Sequence, residues 1–80
     1  MFLNIGFGNY VNCDKIIAIV SPDSSPMRRV IAEARKKGTL VDASQGRKTR
    51  SVIVMENNDV ILSAVITETI IARNAKGGKK

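Results

Sequence analysis

Residues 51–66, SVIVMENNDVILSAVI, are two β-branched runs on either side of Asn57-Asn58, and they decide the fold. Val and Ile are stiff at Cβ and pack well on a pleated sheet, whereas Asn tolerates the positive φ of a two-residue hairpin turn. The segment predicts an antiparallel hairpin, with Met55 facing Val60, Val54 facing Ile61 and Ile53 facing Leu62. In that register Glu56 opposes Asp59, a repulsion that favours opening of the tip into a four-residue loop. Side chains alternate along a strand, so Ile53, Met55, Val60 and Leu62 share one face, and Val52, Val54, Ile61 and Val65 lie on or near the other. Both faces are apolar. One helix covers only one of them, which leaves Val52, Val54 and Ile61 to the last segment of the chain or to another subunit.

Directly upstream, Gly46-Arg47-Lys48-Thr49-Arg50 holds three cations in five residues. Arg47 and Arg50 each offer a planar fork of donors that fits a phosphate, and Lys48 adds a strongly hydrated point charge. The run is a candidate anion-binding loop, with a merely solvated basic surface as the alternative. Leu40–Ala43 reads as a short strand that leads into it through Ser44-Gln45.

Further upstream, Ser25 is the expected N-cap of a helix over about 25–37, with Pro26 in its first turn, where a missing N–H does no harm. Met27, Val30, Ile31 and Ala34 follow the spacing of one buried face, and Gly38 suits the residue just past the end. Arg35-Lys36-Lys37 complements the negative end of the helix dipole, which accounts for those charges without a DNA-reading role. Arg28 and Arg29, at the helix start, are discounted almost as far.

The first twenty residues read as strands. Phe2–Ile5 and Tyr10-Val11 flank a tight Gly6-Phe7-Gly8-Asn9 turn, and Ile16–Val20 is an apolar strand. The Gly-x-Gly lacks the third glycine and the following helix of a dinucleotide fingerprint. Lys15, a lone cation at the mouth of an apolar strand, points to solvent, where it joins a surface patch or stands as an ordinary solvated lysine. Thr67 is placed to cap a short final helix with Glu68 near its positive end and Ile70, Ile71 and Ala75 for packing. Residues 76–80 read as a basic, disordered tail. The expected fold is α+β: a small, mostly antiparallel sheet with one main helix and a short C-terminal one, in a single domain over residues 1–75.

Thirteen Lys and Arg against seven Asp and Glu give a net charge of +6, which favours a polyanionic partner, nucleic acid or an anionic membrane surface. There is one cysteine, Cys13, and no histidine. An intrachain disulfide is therefore excluded, a metal site is not expected, and no nucleophile has a base to activate it. No catalytic residue and no cofactor are expected. The amino end shows no signal-peptide pattern and no stretch is long enough to span a bilayer, so the expected setting is the cytoplasm with a reduced thiol. A domain of this size is marginally stable alone, and self-association is the remaining support.

Four segments carry a family resemblance. NIGFGNYV at 4–11, IVSPDSSPMRR at 19–29, LVDASQGRKTRSVIVM at 40–55 and VILSAVITETI at 60–70, in this order over nearly the whole chain, resemble the RemA family of bacterial extracellular-matrix regulators. The resemblance implies a small protomer that assembles into a closed ring and binds promoter DNA as a transcription regulator of biofilm-matrix and osmoprotection genes. Its DNA-binding part would be similar to LytTR-type domains, and the protein would be nucleoid-associated. The family's DNA-contacting basic residues fall on Lys15, where the family often has arginine, and on Arg47 and Lys48, where it often has two arginines. Arg50 stands beside them. Lysine at two of these positions keeps the charge but not the bidentate fork. Pro26 matches a proline that the family needs for structure or assembly. Two rivals use the same features: an RNA-binding module, for which Phe2, Phe7 and Tyr10 are the only aromatics, and a self-assembling structural protein without DNA affinity.

Overall fold

The structure, a computed structural model, describes residues 1–78. In chain order it contains β1 (Phe2–Gly6), β2 (Asn9–Asn12), a 3-10 turn (Cys13–Lys15), β3 (Ile16–Val20), α1 (Ser25–Lys37), β4 (Leu40–Asp42), β5 (Ser51–Met55), β6 (Val60–Ser63) and α2 (Thr67–Gly78). The main sheet has the order β3-β5-β6-β4, with β4 parallel to β6 and the other pairs antiparallel, while β1 and β2 form a separate hairpin. The class is α+β, as the sequence predicts.

The central hairpin forms, but one register place from expectation. Val54 pairs with Val60, Ile53 with Ile61 and Val52 with Leu62. The cause is the loop, which has three residues, Glu56-Asn57-Asn58. The Asn58 N–H donates to the Met55 carbonyl at 2.9 Å, and the Met55 N–H donates to the Asp59 carbonyl at 2.9 Å. Asn58 takes the left-handed conformation at φ 74°, and the Asn57 side-chain oxygen accepts the Asp59 N–H at 3.0 Å. A tight turn followed by one left-handed residue is a preferred three-residue hairpin connection, and asparagine meets its requirement cheaply.

A one-place slip regroups the side chains across the pair. Val52, Val60 and Leu62 now share a face and pack with Ala34, Met27, Ile31, Val20 and Leu40 under α1. Ile53 and Ile61 share the other, with Leu3, Ile5, Val11, Ala43 and Ile70. The chain therefore covers both faces itself, one with α1 and the other with β1, β2 and α2. Burial of each such Ile, Leu or Val contributes roughly 1.5–3 kcal/mol. The hairpin therefore needs no second subunit to cover its faces. Val52 is fully buried beneath α1 and Ile61 half-buried beneath the N-terminal hairpin, whereas Val54 is half-buried and Pro26 exposed.

Both helix starts differ slightly from expectation. The N-cap of α1 is Ser24, one residue earlier than predicted: its backbone is extended and its side chain accepts the Met27 N–H at 3.3 Å. Ser25 and Pro26 then occupy the first two helical positions. At the other end Gly38, at φ 77°, donates to the Ala34 and Arg35 carbonyls. In α2, Thr67 is the first helical residue, and the Ile66 carbonyl receives the first N–H bonds, from Thr69 and Ile70. The helix reaches Gly78, so the expected tail at 76–80 overlaps its end and otherwise, at 79–80, lies outside the described residues.

Two serines tie these layers together. Ser51 and Ser63 stand opposite each other in the β5–β6 register, and both are fully buried. The Ser63 hydroxyl donates to the Ile5 carbonyl at 2.8 Å and accepts the Val65 N–H at 3.0 Å. The Ser51 hydroxyl donates to the Val65 carbonyl and lies 3.2 Å from the Thr67 hydroxyl. Replacing Ser63→Ala strands a buried carbonyl and an N–H, and is expected to cost about 1–3 kcal/mol in a urea unfolding titration.

Candidate nucleic-acid interface

The segment from Ala43 to Arg50 is held at both ends. At its entrance the Ala43 N–H donates to the Leu62 carbonyl at 2.9 Å. The Asp42 carboxylate accepts both the backbone N–H of Ser44, at 2.9 Å, and its hydroxyl, which makes an Asx turn around a buried serine. The Arg47 N–H then returns to the Ser44 carbonyl at 3.0 Å, over Gln45 and Gly46 at φ 54° and 78°. Two left-handed residues make this a tight reversal, which explains the glycine at the head of the basic run. At the exit the Arg50 N–H donates to the Ser63 carbonyl at 2.8 Å, extending the β5–β6 pairing. Arg47, Lys48 and Arg50 are exposed, while Thr49 is half-buried.

The β1–β2 turn comes up beside this loop. Gly6, Phe7 and Gly8 all have positive φ, at 102°, 54° and 77°. A Cβ on Gly6 would lie 2.9 Å from Val65 Cγ2, so glycine is required both by conformation and by the close approach. Phe7 is left-handed without being glycine, a strain of roughly 1–2 kcal/mol. The residue is 48 % exposed, and the Arg47 guanidinium carbon lies 6.0 Å from its ring centroid. Such an exposed cation–π contact contributes about 0.5–1 kcal/mol. Phe7, Arg47, Lys48 and Arg50 line one open groove of about 350 Å³, and Lys48, Thr49 and Arg50 border a second, of about 370 Å³, shared with Ser21–Asp23 and Ile66–Glu68.

Topology adds to the field at this end of the sheet. β3 ends here and α1 starts at Ser25, after the four residues 21–24; α2 starts at Thr67 on the rim of the second groove. Each helix N-terminus carries roughly half a positive charge. The first turn of α1 has no acidic residue, while Glu68 offsets the charge of α2. The three loop cations are offset in part by Asp23 and Glu68 on the second groove and by Asp42 at the loop entrance.

Lys15 is elsewhere. Ile16 pairs with Met55 and Val20 with Val52, so Lys15 and Arg50 sit at opposite ends of the β3–β5 ladder. At a rise of about 3.3 Å per residue that separation is roughly 20 Å. Lys15 Nζ is 3.5 Å from Glu56 Oε1, an exposed pair beside a cavity of about 670 Å³ that Tyr10, Met55 and Asp59 also line. Exposed pairs of this kind contribute about 0–1 kcal/mol. The expectation that Lys15 joins the loop in one patch is not met within the protomer. Arg35, Lys36 and Lys37 do occupy the last turn of α1, with Lys37 3.9 Å from Glu33.

The missed element is Phe7. Sequence identified its turn, but only the fold brings the ring against Arg47; the one available signal was an aromatic between two glycines. Cys13 is a free, half-buried thiol. Among the described residues no cluster of His, Cys, Asp and Glu is placed to hold a metal, and no helix is long and apolar enough to cross a membrane.

A family model described as RemA-like, extracellular matrix regulatory protein A-like, matches residues 2–73, from β1 well into α2. The chain belongs to the RemA-like family. This RemA-like chain is 64 % identical over 73 residues to a protein of Desulfosudis oleivorans named "Putative regulatory protein", covering 91 % of the chain and 75 % of that relative. It is 58 % identical over 72 residues to a protein of the same name from Carboxydothermus hydrogenoformans, covering 90 % and 83 %. A third relative of that name, from Alkaliphilus oremlandii, is 54 % identical over 79 residues, covering 98 % and 85 %. The family description and the three names are all those of regulatory proteins.

The loop entrance has a pH signature. The Ser44 hydroxyl foremost, then the Ser44 N–H, hold the Asp42 carboxyl below the usual carboxylate range; burial opposes them weakly and Arg35 assists. A folded pKa below the unfolded one contributes stability above the unfolded value, about 3.9, and loses it as pH falls through the folded value. Asp42→Asn should therefore lower the Tm at neutral pH, with the gap to wild type closing below about pH 4 in a thermal unfolding series.

Proposed function

We propose that this RemA-like chain is a DNA-binding transcription regulator that forms a closed homo-oligomeric ring and holds promoter DNA through its phosphates. The observation that carries this reading is the exposure of Arg47, Lys48 and Arg50 on a loop fixed at both ends, at the end of the sheet where both helices begin. Phosphate contacts dominate affinity and set register on the duplex without reading sequence. DNA shape and deformability then supply the preference among sites. The family resemblance points to a LytTR-like DNA-binding part and to biofilm-matrix and osmoprotection genes, read in the cytoplasm on the nucleoid.

Self-association draws on what the protomer leaves uncovered. β3 and β4 are unpaired edges of the main sheet, and each has an exposed apolar residue, Ile17 and Val41. The outer face of the β1–β2 hairpin exposes Phe2 and Tyr10. Open apolar edges invite pairing with another copy, and a closed ring removes them. In this reading Pro26 acts from the surface at the start of α1, Val54 and Ile61 from partly covered positions, and Val52 through the packing of α1 rather than by touching a neighbour. Every added subunit repeats the basic loop at a fixed spacing, which raises effective concentration along the duplex. Lys15 is a second phosphate contact about 20 Å from the loop, a span of roughly six base-pair rises.

The test is the salt dependence of binding to a promoter duplex. Replacing Arg47 and Lys48 together by alanine should flatten the slope of log K against log salt by about 2 for each engaged subunit, at roughly 0.9 per phosphate contact. Sedimentation of the free protein should be unchanged. A slope equal to that of wild type overturns the role of the loop.

A further inference from the structure

Phe7 occupies an expensive position. Its backbone is left-handed, which disfavours a bulky side chain, and the residue is about half exposed at the tip of a hairpin. Gly6 and Gly8 on either side have no side chains to shield it, and Gly6 is packed against Val65, so the tip is fixed to the body of the protein. The ring nevertheless lies at the rim of the basic groove, with Arg47 over it and Lys48 and Arg50 beside it. A stability-driven choice at this position would be glycine or asparagine.

We propose that Phe7 is an apolar wedge of the DNA interface, packing into an unstacked base step in the minor groove while Arg47, Lys48 and Arg50 hold the flanking phosphates. The inference rests on the proposed binding of duplex DNA. Side chains of this kind enter the minor groove between base pairs and kink the duplex, and their flanking cations hold the bent backbone. Single-stranded nucleic acid is the weaker fit, because stacking along a strand uses successive aromatic platforms. Among the described residues Phe7 is the only aromatic that lines the groove: Tyr10 lines the Lys15 cavity at the other end, and Phe2 pairs with Asn12 at the far end of the hairpin. The wedge also supplies what the phosphate contacts lack, a preference for flexible pyrimidine–purine steps over stiff A-tracts.

The experiment uses the chain of residues 1–80 and two duplexes of equal length, one with a central TA step beside a 2-aminopurine reporter and one with an uninterrupted A-tract. Wild type should bind the TA duplex more tightly and brighten the reporter as the step unstacks. Phe7→Asn, which relieves the backbone, should match or exceed the wild-type Tm. It should bind the TA duplex roughly tenfold more weakly, lose the preference and the brightening, and keep the salt slope, since no phosphate contact is removed. Phe7→Leu, apolar but without a π face, should retain the preference. Equal binding by wild type and Phe7→Asn overturns the wedge and leaves the phosphate reading standing. A Phe7→Leu protein that behaves like Phe7→Asn with a reduced slope also overturns it, making Phe7 a positioning residue for Arg47. Tighter, Phe7-dependent binding of a single strand overturns it in favour of stacking. Absence of wild-type binding to either duplex removes the DNA reading itself, and the wedge with it.

Discussion

The opposed pair of buried serines, Ser51 and Ser63, is the constraint on which the rest of this structure depends. Each carries a hydroxyl into an apolar interior, which is tolerable only when the hydroxyl is bonded. Ser63 meets the requirement with a carbonyl of β1 and an N–H ahead of α2; Ser51 meets it with the Val65 carbonyl and the Thr67 hydroxyl. The same end of the hairpin therefore binds the N-terminal strand, the last helix and, through the Ser63 carbonyl, the backbone of Arg50. Side chains at the surface inherit their placement from this polar knot. Arg47, Lys48 and Arg50 follow β5 backwards from Ser51, and Phe7 follows β1 forwards from Ile5.

Much of this was legible in the sequence. The hairpin, α1 and its Gly38 stop, the short strands and the basic run all follow from local periodicity and turn chemistry, which depend on neighbours along the chain. What failed was relational. The register depended on whether Asn58 or Asn57-Asn58 made the turn, and glutamate opposite aspartate signalled only that a two-residue turn was disfavoured. The cover of the second hairpin face depended on β1, β2 and α2 folding onto Ile53 and Ile61, contacts between segments far apart in sequence. Periodicity within 51–66 could show that the face was apolar but not what would cover it.

The candidate site divides along the same line. Charge and exposure of Arg47, Lys48 and Arg50 were readable, since a basic run between a glycine and a β-strand has nowhere to go but the surface. The position of Lys15 was not, because it turns on strand direction: β3 and β5 are antiparallel, so a residue before β3 and a residue before β5 are at opposite ends. Phe7 was hidden for the converse reason, its relation to Arg47 being set by the Gly6–Val65 approach and the serine bonds. The protomer covers its own hairpin faces and leaves two sheet edges open, and the proposed self-association would use those edges.

The most direct test is the solution mass of the purified chain, by sedimentation at moderate salt, with and without duplex DNA. A closed assembly that binds DNA through a repeated basic loop gives a multiple of the 8.7 kDa protomer mass alone and a heavier species with the duplex. A particle of protomer mass that is unchanged by DNA would contradict both parts of the account.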